Sequence, residues 1–188
     1  MILNHFTSLH LTEKDKVLLE NTFKETHLKK GDLLLKSDTK VTYQYYVFSG
    51  CLRTFFMDDN GKDHTIQFAI KDWWTSDYTA YFSTSKSIMN IECIQDAIVY
   101  RISRQDTEKL YLEIPGLESF FRKKMENAFA SFQKRILDSL YQTATTRYLN
   151  FISKYPNIEQ NVKNYHVASY LGITKESLSR IRKDIPKT

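Results

Sequence analysis

The sequence predicts an α+β protein, in which a β-rich N-terminal half precedes a long helix and a small helical C-terminal unit. β-branched and aromatic residues crowd residues 31–103, where turn residues recur at short intervals. Apolar residues then recur every three or four positions up to residue 141. The last segment, NYHVASYLGITKESLSRIRKDIPKT, has the pattern of two short helices joined by a tight turn. The chain is therefore divided into residues 1–114, 115–141 and 142–188.

The composition is that of a folded chain with a sizeable core. Of the 188 residues 41% are hydrophobic and 14% aromatic, and three prolines and five glycines do not suggest disorder. The two cysteines, Cys51 and Cys93, form no C-x-x-C pattern, so we expect buried thiols rather than a disulfide framework or a zinc site. Without a signal-peptide pattern or a long apolar run, we expect a cytoplasmic protein and no membrane segment.

Several elements of the N-terminal half carry local signals. Thr12 before an acidic turn predicts the N-cap of a helix over residues 11–27. Asn60-Gly61 between two apolar runs predicts a hairpin, because both residues tolerate a positive φ. A further strand pair is predicted in residues 87–103, with a turn at Gln95-Asp96. Short strands with no helices between them favour a barrel or a sandwich over a parallel sheet.

The long helix carries a wide apolar stripe, with Pro115 predicted in its first turn. One neighbouring surface would not cover a stripe of this width. We therefore predict that the protein is a homodimer whose interface contains five residues of this helix: Phe121, Met125, Phe129, Phe132 and Ile136. Burial of the whole stripe within one chain is the alternative, and residues 154–164 are predicted to form a hinge-like loop.

The C-terminal segment fits a helix-turn-helix at each position that the motif constrains. Two helices that cross closely need a small residue at the crossing and a residue that tolerates a left-handed φ at the turn. Ala168 and Gly172 occupy those two positions. The apolar positions, where the helices touch, are all filled: Val167, Leu171, Ile173, Leu178 and Ile181. A helical hairpin that only packs is the alternative, but it does not explain the polar face described next.

The second helix of this motif has a short and mostly basic polar face. Thr174 is its predicted N-cap, and the face comprises Lys175, Glu176, Ser179, Arg180 and Lys183. Arg180 could donate two hydrogen bonds to guanine, and Glu176 could accept one from cytosine. Arg182 and Lys183, further along the helix, are predicted to contact phosphates. The sequence thus predicts double-stranded DNA as the partner of this face.

The distribution of charge agrees with a nucleic-acid partner. Residues 122–188 contain 13 Lys and Arg against 5 Asp and Glu, whereas residues 1–121 contain 14 against 17. A basic module joined to a slightly acidic one is typical of DNA-binding proteins, because cations neutralise phosphates. A lysine-rich solvated surface would explain the charges equally well.

Patterns typical of enzymes are missing from the sequence. Metal-dependent enzymes built on a β-roll need closely spaced histidines with a carboxylate nearby. The five histidines, at positions 5, 10, 27, 64 and 166, have no such spacing, and no G-x-S-x-G motif occurs. We therefore expect no enzymatic activity.

The order of these elements resembles the cyclic-AMP-receptor/fumarate-nitrate-regulator (Crp/Fnr) family of bacterial transcription factors. The resemblance rests on GDLLLKSD, YYVFSGCLRTFFMDDNGKDHTIQFAI and, most specifically, VASYLGITKESLSRIRK. It implies a double-stranded β-roll of the cyclic-nucleotide-binding type, a dimerisation helix, a DNA-binding domain, and RNA polymerase as a candidate partner. The run Lys175 to Arg180 matches the family's recognition helix, although Lys175 lacks a guanidinium group. Pro186 stands about where the family usually adds a β-hairpin wing, so we expect the wing to be missing.

The resemblance also implies a ligand pocket, which this sequence matches poorly. The family's phosphate-binding pairs fall on Ser76 and Asp77 and on Ser87 and Ile88, so the pocket candidates are Ser76, Asp77 and Ser87. A serine cannot replace the arginine that compensates a phosphate, which disfavours cyclic AMP. Two cysteines are too few for an iron–sulfur cluster, and the sequence identifies no other effector. His64 and His166 are more simply interpreted as solvated histidines than as haem ligands.

Together these observations predict a DNA-binding transcription regulator of the Crp/Fnr type, gated by an effector other than cyclic AMP or by none. In the mechanism that the resemblance implies, a ligand in the roll changes the packing of the long helices and so the spacing of the recognition helices. The alternative is a ligand- or protein-binding β-roll module with a degenerate DNA-binding region.

Overall fold

The computed structural model describes residues 2–156 and 158–185. After a 3-10 turn at Ile2–Phe6, the described chain forms the following helices and strands: α1 (Glu13–Thr22), β1 (Lys24–Leu28), β2 (Leu33–Leu35), β3 (Tyr43–Met57), β4 (Asp63–Ile70), β5 (Trp74–Thr75), α2 (Tyr78–Ser83), β6 (Asn90–Ser103), α3 (Arg104–Glu113), α4 (Leu117–Tyr141), α5 (Ala144–Lys154), α6 (Ile158–Asn161), α7 (Asn164–Leu171) and α8 (Lys175–Asp184). The predicted α+β class is confirmed. The expectations about Pro186 and the wing lie outside the described residues.

All the described strands belong to one antiparallel sheet that curls around an apolar interior. Its main path is β1-β6-β3-β4, with β2 paired to β6 and β5 paired to β3. The long strands β3 and β6 pair from Tyr43 opposite Ser103 to Phe55 opposite Asn90. Residues from both strands, together with α2, fill the interior of the roll. Because β4 ends the path, no strand of the described chain pairs with its outer edge.

The two long strands bend where the sequence carries turn-like residues. Their register shifts around Ser49 and Cys51, and Gly50 between them has a φ of +87°. A Cβ at Gly50 would lie only 2.3 Å from the Asp96 carbonyl oxygen. The predicted turn at Gln95-Asp96 is wrong, since β6 runs without a break through these residues. The turn-like residues instead form irregularities that bend a continuous strand pair.

Other local predictions agree with the structure in full or in part. Residues 58–62 join β3 to β4 as the predicted hairpin, with the Asp58 N–H donating to the Lys62 carbonyl at 3.0 Å. Gly61, but not Asn60, takes a positive φ. Thr12 caps α1 and accepts from the Asp15 amide at 3.2 Å, although this helix is shorter than predicted because residues 24–28 form β1. Both cysteines are buried free thiols, as expected.

Two helices of the N-terminal half were missed by the sequence analysis. Helix α2 has only six residues, too few for apolar periodicity to show. Helix α3 is capped by Ser103, which accepts from the Asp106 amide at 3.0 Å. Its only buried side chains are Thr107 and Leu110, so most of the helix is polar. Both helices lie within the part of the chain, after residue 31, that was expected to form mainly strands.

The long helix α4 packs on the roll only through its first turns. It begins at Leu117, after Pro115 and a Gly116 of φ +81°, so the proline precedes the helix rather than entering it. Leu117 and Phe121 are buried with the N-terminal segment, α1 and α3 in one apolar cluster. From Met125 onwards no described residue of α4 is fully buried. The rest of the helix is therefore open to a partner or to a ligand.

The C-terminal unit packs against the outside of the roll. Its helices α5, α7 and α8 share one apolar cluster with three residues of the sheet: Cys51, Phe68 and Ile94. The stretch at 154–164, predicted as a hinge-like loop, contains α6 and buries Ile158 and Val162 in this cluster. That prediction is wrong, because the stretch joins helices within the unit instead of connecting it to the roll.

The strand bend yields a first testable prediction. The substitution Gly50→Ala should lower the free energy of unfolding by about 3 kcal/mol, since it combines an unfavourable φ with a backbone clash. Gly61→Ala is the matched control: its φ is +75° but nothing lies within 4 Å of the added Cβ, so about 1 kcal/mol is expected. Urea denaturation measures both. An equal loss of free energy of unfolding in the two variants would show that the close contact of residue 50 with the Asp96 carbonyl does not contribute.

Candidate nucleic-acid interface

Helices α7 and α8 form a helix-turn-helix with a defined turn, crossing and N-cap of the second helix. Gly172 turns the chain with a φ of +66°, and its N–H donates to the Ala168 and Ser169 carbonyls. Ala168 is buried at the crossing, where a larger side chain would push the helices apart. Thr174 caps α8 by accepting from the Ser177 amide at 3.2 Å. The crossing residue, the turn residue and the cap therefore lie where the sequence placed them.

The apolar positions of the motif are buried against α5. Val167, Leu171, Leu178 and Ile181 belong to the C-terminal cluster, and Ile173 packs against it partly buried. Helix α5 contributes Tyr148 and Phe151 to the same cluster, and Tyr155, directly after the helix, joins them. Since the inner side of α8 is held in this way, its polar side faces solvent.

The polar face predicted from the sequence lies together on the exposed side of α8. Lys175, Glu176, Ser179, Arg180 and Lys183 are all exposed. The pKa of Glu176 is lowered by hydrogen bonds from its own backbone amide and from Thr174, which favour a charged carboxylate. Among the described residues none of the three basic side chains of this face forms a salt bridge. The face thus offers donors, an acceptor and uncompensated positive charge to a polyanion.

Arg182 has a structural role that the sequence analysis did not foresee. Its Nε donates to the Tyr148 hydroxyl at 3.2 Å, and its Nη1 donates to Asn164 Oδ1 at 2.6 Å. These bonds connect α8 to α5 and to the start of α7. Arg182 is thus engaged within the C-terminal unit, whereas Lys183 is exposed and forms no salt bridge among the described residues.

The helix-turn-helix is fixed to the free edge of β4. The Ser169 hydroxyl of α7 donates to the Asp63 carbonyl at 3.0 Å and accepts from the Thr65 amide at 2.8 Å. Arg135 of α4 donates to the Ile66 carbonyl at 2.7 Å. Backbone amides and carbonyls at the edge of a sheet have no neighbouring strand to bond. These side chains supply the hydrogen bonds that a further strand would make.

A buried ionic group lies beneath α7. The Arg53 side chain, 2% exposed, donates through Nε to Glu92 at 2.7 Å and through Nη2 to Asp63 at 2.9 Å. His166 of α7 covers this group, with its Nε2 lying 3.7 Å from a Glu92 carboxylate oxygen. Burial, and then the Arg53 charge, lower the pKa of His166 to about 4. His166 is thus a buried neutral histidine and not the solvated one expected, whereas His64 is partly exposed and pairs with Asp58 at 2.9 Å.

The ligand-pocket candidates are brought together but bind one another. Asp77 is 0% exposed, and its Oδ1 accepts from the Ala80 amide at the start of α2. Its Oδ2 accepts from the Ser87 hydroxyl at 2.9 Å and from the Ile88 amide at 3.0 Å. Ser76 donates to the Tyr43 carbonyl at 2.9 Å. Because these groups are engaged inside the chain, none of the three candidates offers a free carboxylate or a positive charge to a nucleotide.

The five α4 residues predicted for the dimer interface do not share one environment. Phe121 is 3% exposed and packs against Trp74 inside its own chain, with ring centroids 4.9 Å apart, so it has no surface left for a partner. Met125 is partly buried. Phe129 and Ile136 are 71% and 60% exposed, and Phe132 also reaches solvent. Their neighbours Leu137 and Leu140 extend the exposed stripe to the end of the helix.

Two general features of the described residues bear on function. No group of three or more His, Cys, Asp or Glu within them could hold a metal ion. Nor does any helix in residues 2–156 and 158–185 have the length and apolar character needed to cross a membrane.

This chain is similar in sequence to a known domain family and to a known protein. Residues 25–113 match the family model of the cyclic nucleotide-binding domain. The transcriptional activator protein Anr of Pseudomonas protegens is 22% identical over 185 residues, which cover 93% of this chain and 75% of Anr.

Solved structures share the fold at low sequence identity. FixK2 from Bradyrhizobium japonicum superposes with a TM-score of 0.73 at 18% identity, covering 86% of this chain and 83% of FixK2. A CooA mutant from Carboxydothermus hydrogenoformans gives a TM-score of 0.72 at 16% identity, covering 94% of this chain and 81% of CooA.

The buried histidine generates a prediction about pH. The pKa of His166 is about 4 in the folded chain against about 6.5 when unfolded, so below pH ~6.5 only the unfolded state takes up its proton. The free energy of unfolding should fall from pH ~6.5 to pH ~4, with His166 contributing about 3 kcal/mol of the loss. His166→Gln should flatten this slope in urea titrations, whereas His27→Gln, at a well-exposed position, should not. An unchanged slope in His166→Gln would contradict the assignment. His5, whose pKa burial also lowers to about 4, should contribute to the slope that remains.

Proposed function

We propose that this chain is a DNA-binding transcription regulator of the Crp/Fnr type, an inference supported by the cyclic nucleotide-binding domain match at residues 25–113 and by the fold shared with FixK2 and CooA. The observation that carries the proposal is the exposed face of α8, where Glu176 and Arg180 lie beside three further polar residues. The name of Anr, a transcriptional activator, agrees with it. The alternative of a degenerate DNA-binding region fits the motif less well, because the Gly172 turn, the Thr174 cap of α8 and the apolar contacts of both helices are formed.

In this proposal Arg180 and Glu176 contact base edges, while Lys175, Ser179 and Lys183 position the helix on the phosphates. Since one short helix contacts only a few base pairs, two copies of the chain are needed for a site of useful length. The exposed part of the α4 stripe, from Phe129 to Leu140, supports a symmetric dimer formed by this helix. Phe121 is left out of the interface.

The proposal does not give cyclic AMP a role in this chain. A nucleotide phosphate removed from water needs a cation or several donors, and Ser87 already donates to Asp77. Asp77, which would have to accept from a ribose, already accepts three hydrogen bonds within the chain. Any effector is therefore expected to bind elsewhere.

The first test of the proposal concerns Arg180. Binding to a pool of randomised duplexes should weaken with salt, with a log–log slope of about −0.9 for each phosphate contacted. Arg180→Ala should cost about 1–3 kcal/mol at one base position and relax the preference there. Lys183→Ala is the comparison, because loss of a phosphate contact should weaken all sequences alike. A preference unchanged in Arg180→Ala would remove this residue from the base-contacting face, and no salt-dependent binding at all would overturn the proposal.

The second test concerns the dimer. The double substitution of Phe129 and Phe132 by Glu should place charges in the apolar stripe of both copies and separate them. Light scattering should then give a mass near 22.2 kDa instead of twice that value. Leu112→Glu is the matched control, since Leu112 is 89% exposed but belongs to α3 and should leave the mass unchanged. A double variant that still has twice the mass would place the interface elsewhere.

A further inference from the structure

A cavity lies where the roll, α4 and the C-terminal unit meet. Its volume is about 610 Å³, within the range of small-molecule sites. Aromatic residues from each part line it, among them Trp73 of the roll, Phe132 of α4, and Tyr155 and Tyr170 of the C-terminal unit. Asp77 and Ser87 are not among its lining residues, so this cavity is separate from the positions at which a cyclic nucleotide was considered.

Two cations that line this cavity lie near each other and have no carboxylate partner in the described part of the chain. Arg135 and Lys154 both line it, and neither forms a salt bridge among the described residues. The Lys154 ammonium donates to the Ser131 hydroxyl at 2.6 Å and lies 5.1 Å from the centre of the Trp73 ring. Burial and the neighbouring Arg135 charge lower the pKa of Lys154. Two such close positive charges repel each other, and an anion between them would relieve that repulsion.

The other charged residues that line the cavity do not cancel the positive charge of Arg135 and Lys154. Lys124 also lines the cavity, and Asp72 is its one acidic lining residue in the described chain. The Asp72 carboxylate accepts from the Tyr46 hydroxyl at 2.6 Å, on the roll side of the cavity. Arg135 uses Nη1 on the Ile66 carbonyl, and its guanidinium lies 4.8 Å from the centre of the Tyr170 ring. The cavity thus combines aromatic walls with an excess of positive charge from Arg135, Lys154 and Lys124 over Asp72.

We propose that this cavity binds an organic anion with an apolar body, a carboxylate whose charged end lies between Arg135 and Lys154 while its body packs against Trp73 and Phe132. Charge complementarity selects this occupant over a neutral one, and the aromatic walls select it over an inorganic ion. A bound molecule would touch β4, α4 and α5 at once. If the proposed function holds, on which this last step rests, such a molecule would act as the effector by changing how the helix-turn-helix sits on the roll.

The two tryptophans of the chain provide a direct measurement. Trp73 and Trp74 both line the cavity, so their fluorescence reports its occupation without any DNA. The purified full chain would be titrated with decanoate and with phenylbutyrate, which separate aliphatic from aromatic carboxylates. Decanol and phenylbutanol serve as neutral analogues. A saturable change is expected with at least one carboxylate, and binding roughly tenfold weaker with its alcohol, because a charge-assisted hydrogen bond is lost.

Variants locate the binding site. Lys154→Met and Arg135→Gln should each weaken carboxylate binding roughly tenfold. Lys123→Met is the matched control, because Lys123 is an exposed lysine of α4 that does not line the cavity, and it should bind as the parent does. Three outcomes would overturn the proposal: no fluorescence response to either carboxylate, equal binding of acid and alcohol, or full affinity in both cavity variants.

The dimer adds one further outcome, since Phe129 and Phe132 belong both to the cavity wall and to the proposed interface. Carboxylate binding that appears only after dilution has separated the two copies would show that a second copy occupies the cavity, which also overturns the proposal. Loss of DNA binding with carboxylate binding intact would count against the proposed function alone. The two failures are therefore distinguishable.

Discussion

The closure of the β4 edge is the interaction on which the arrangement of this molecule depends. Three backbone groups of that edge, on Asp63, Thr65 and Ile66, are satisfied by side chains of Ser169 and Arg135. A polar group that is buried without a partner costs about 1–3 kcal/mol, so the roll and the helices that cover it stabilise each other. The position of α8 relative to the sheet follows from this closure, because α7 is held at β4 and Gly172 sets the turn.

The buried ionic group below α7 makes the docking of the helix-turn-helix on the roll specific to one position. Arg53 is held between Glu92 of β6 and Asp63 of β4, and the removal of one partner from such a group typically costs about 3–5 kcal/mol. His166 lies on top of these charges in its neutral form, so its protonation would add a positive charge next to Arg53. Alternative placements of α7 would leave this group open to solvent or without its cover. The junction therefore favours one docked position over many similar ones.

Much of the fold was predictable from local patterns, and the errors have physical reasons. Thr12, Gly61, Ala168, Gly172 and Thr174 each satisfy a short-range requirement of the backbone, so the sequence reveals their roles. Gln95-Asp96 has the composition of a turn but forms an irregularity inside β6, because its role depends on Gly50 in another strand. The same limit applies to the candidate site. The face of α8 follows helical periodicity, whereas the buried state of His166 and the cavity at Arg135 and Lys154 depend on contacts between distant segments.

The position of the C-terminal unit has a consequence for the isolated N-terminal half. A fragment that ended after α4 would leave Cys51, Phe68 and Ile94 uncovered on the outside of the roll. It would also lack Ser169, so the edge of β4 would present an unpaired amide and carbonyl beside this apolar patch. Bare edges next to apolar surface recruit strands from other molecules. The cover that the helix-turn-helix gives to this edge should therefore protect the roll from aggregation, and a chain truncated after α4 is expected to be less soluble.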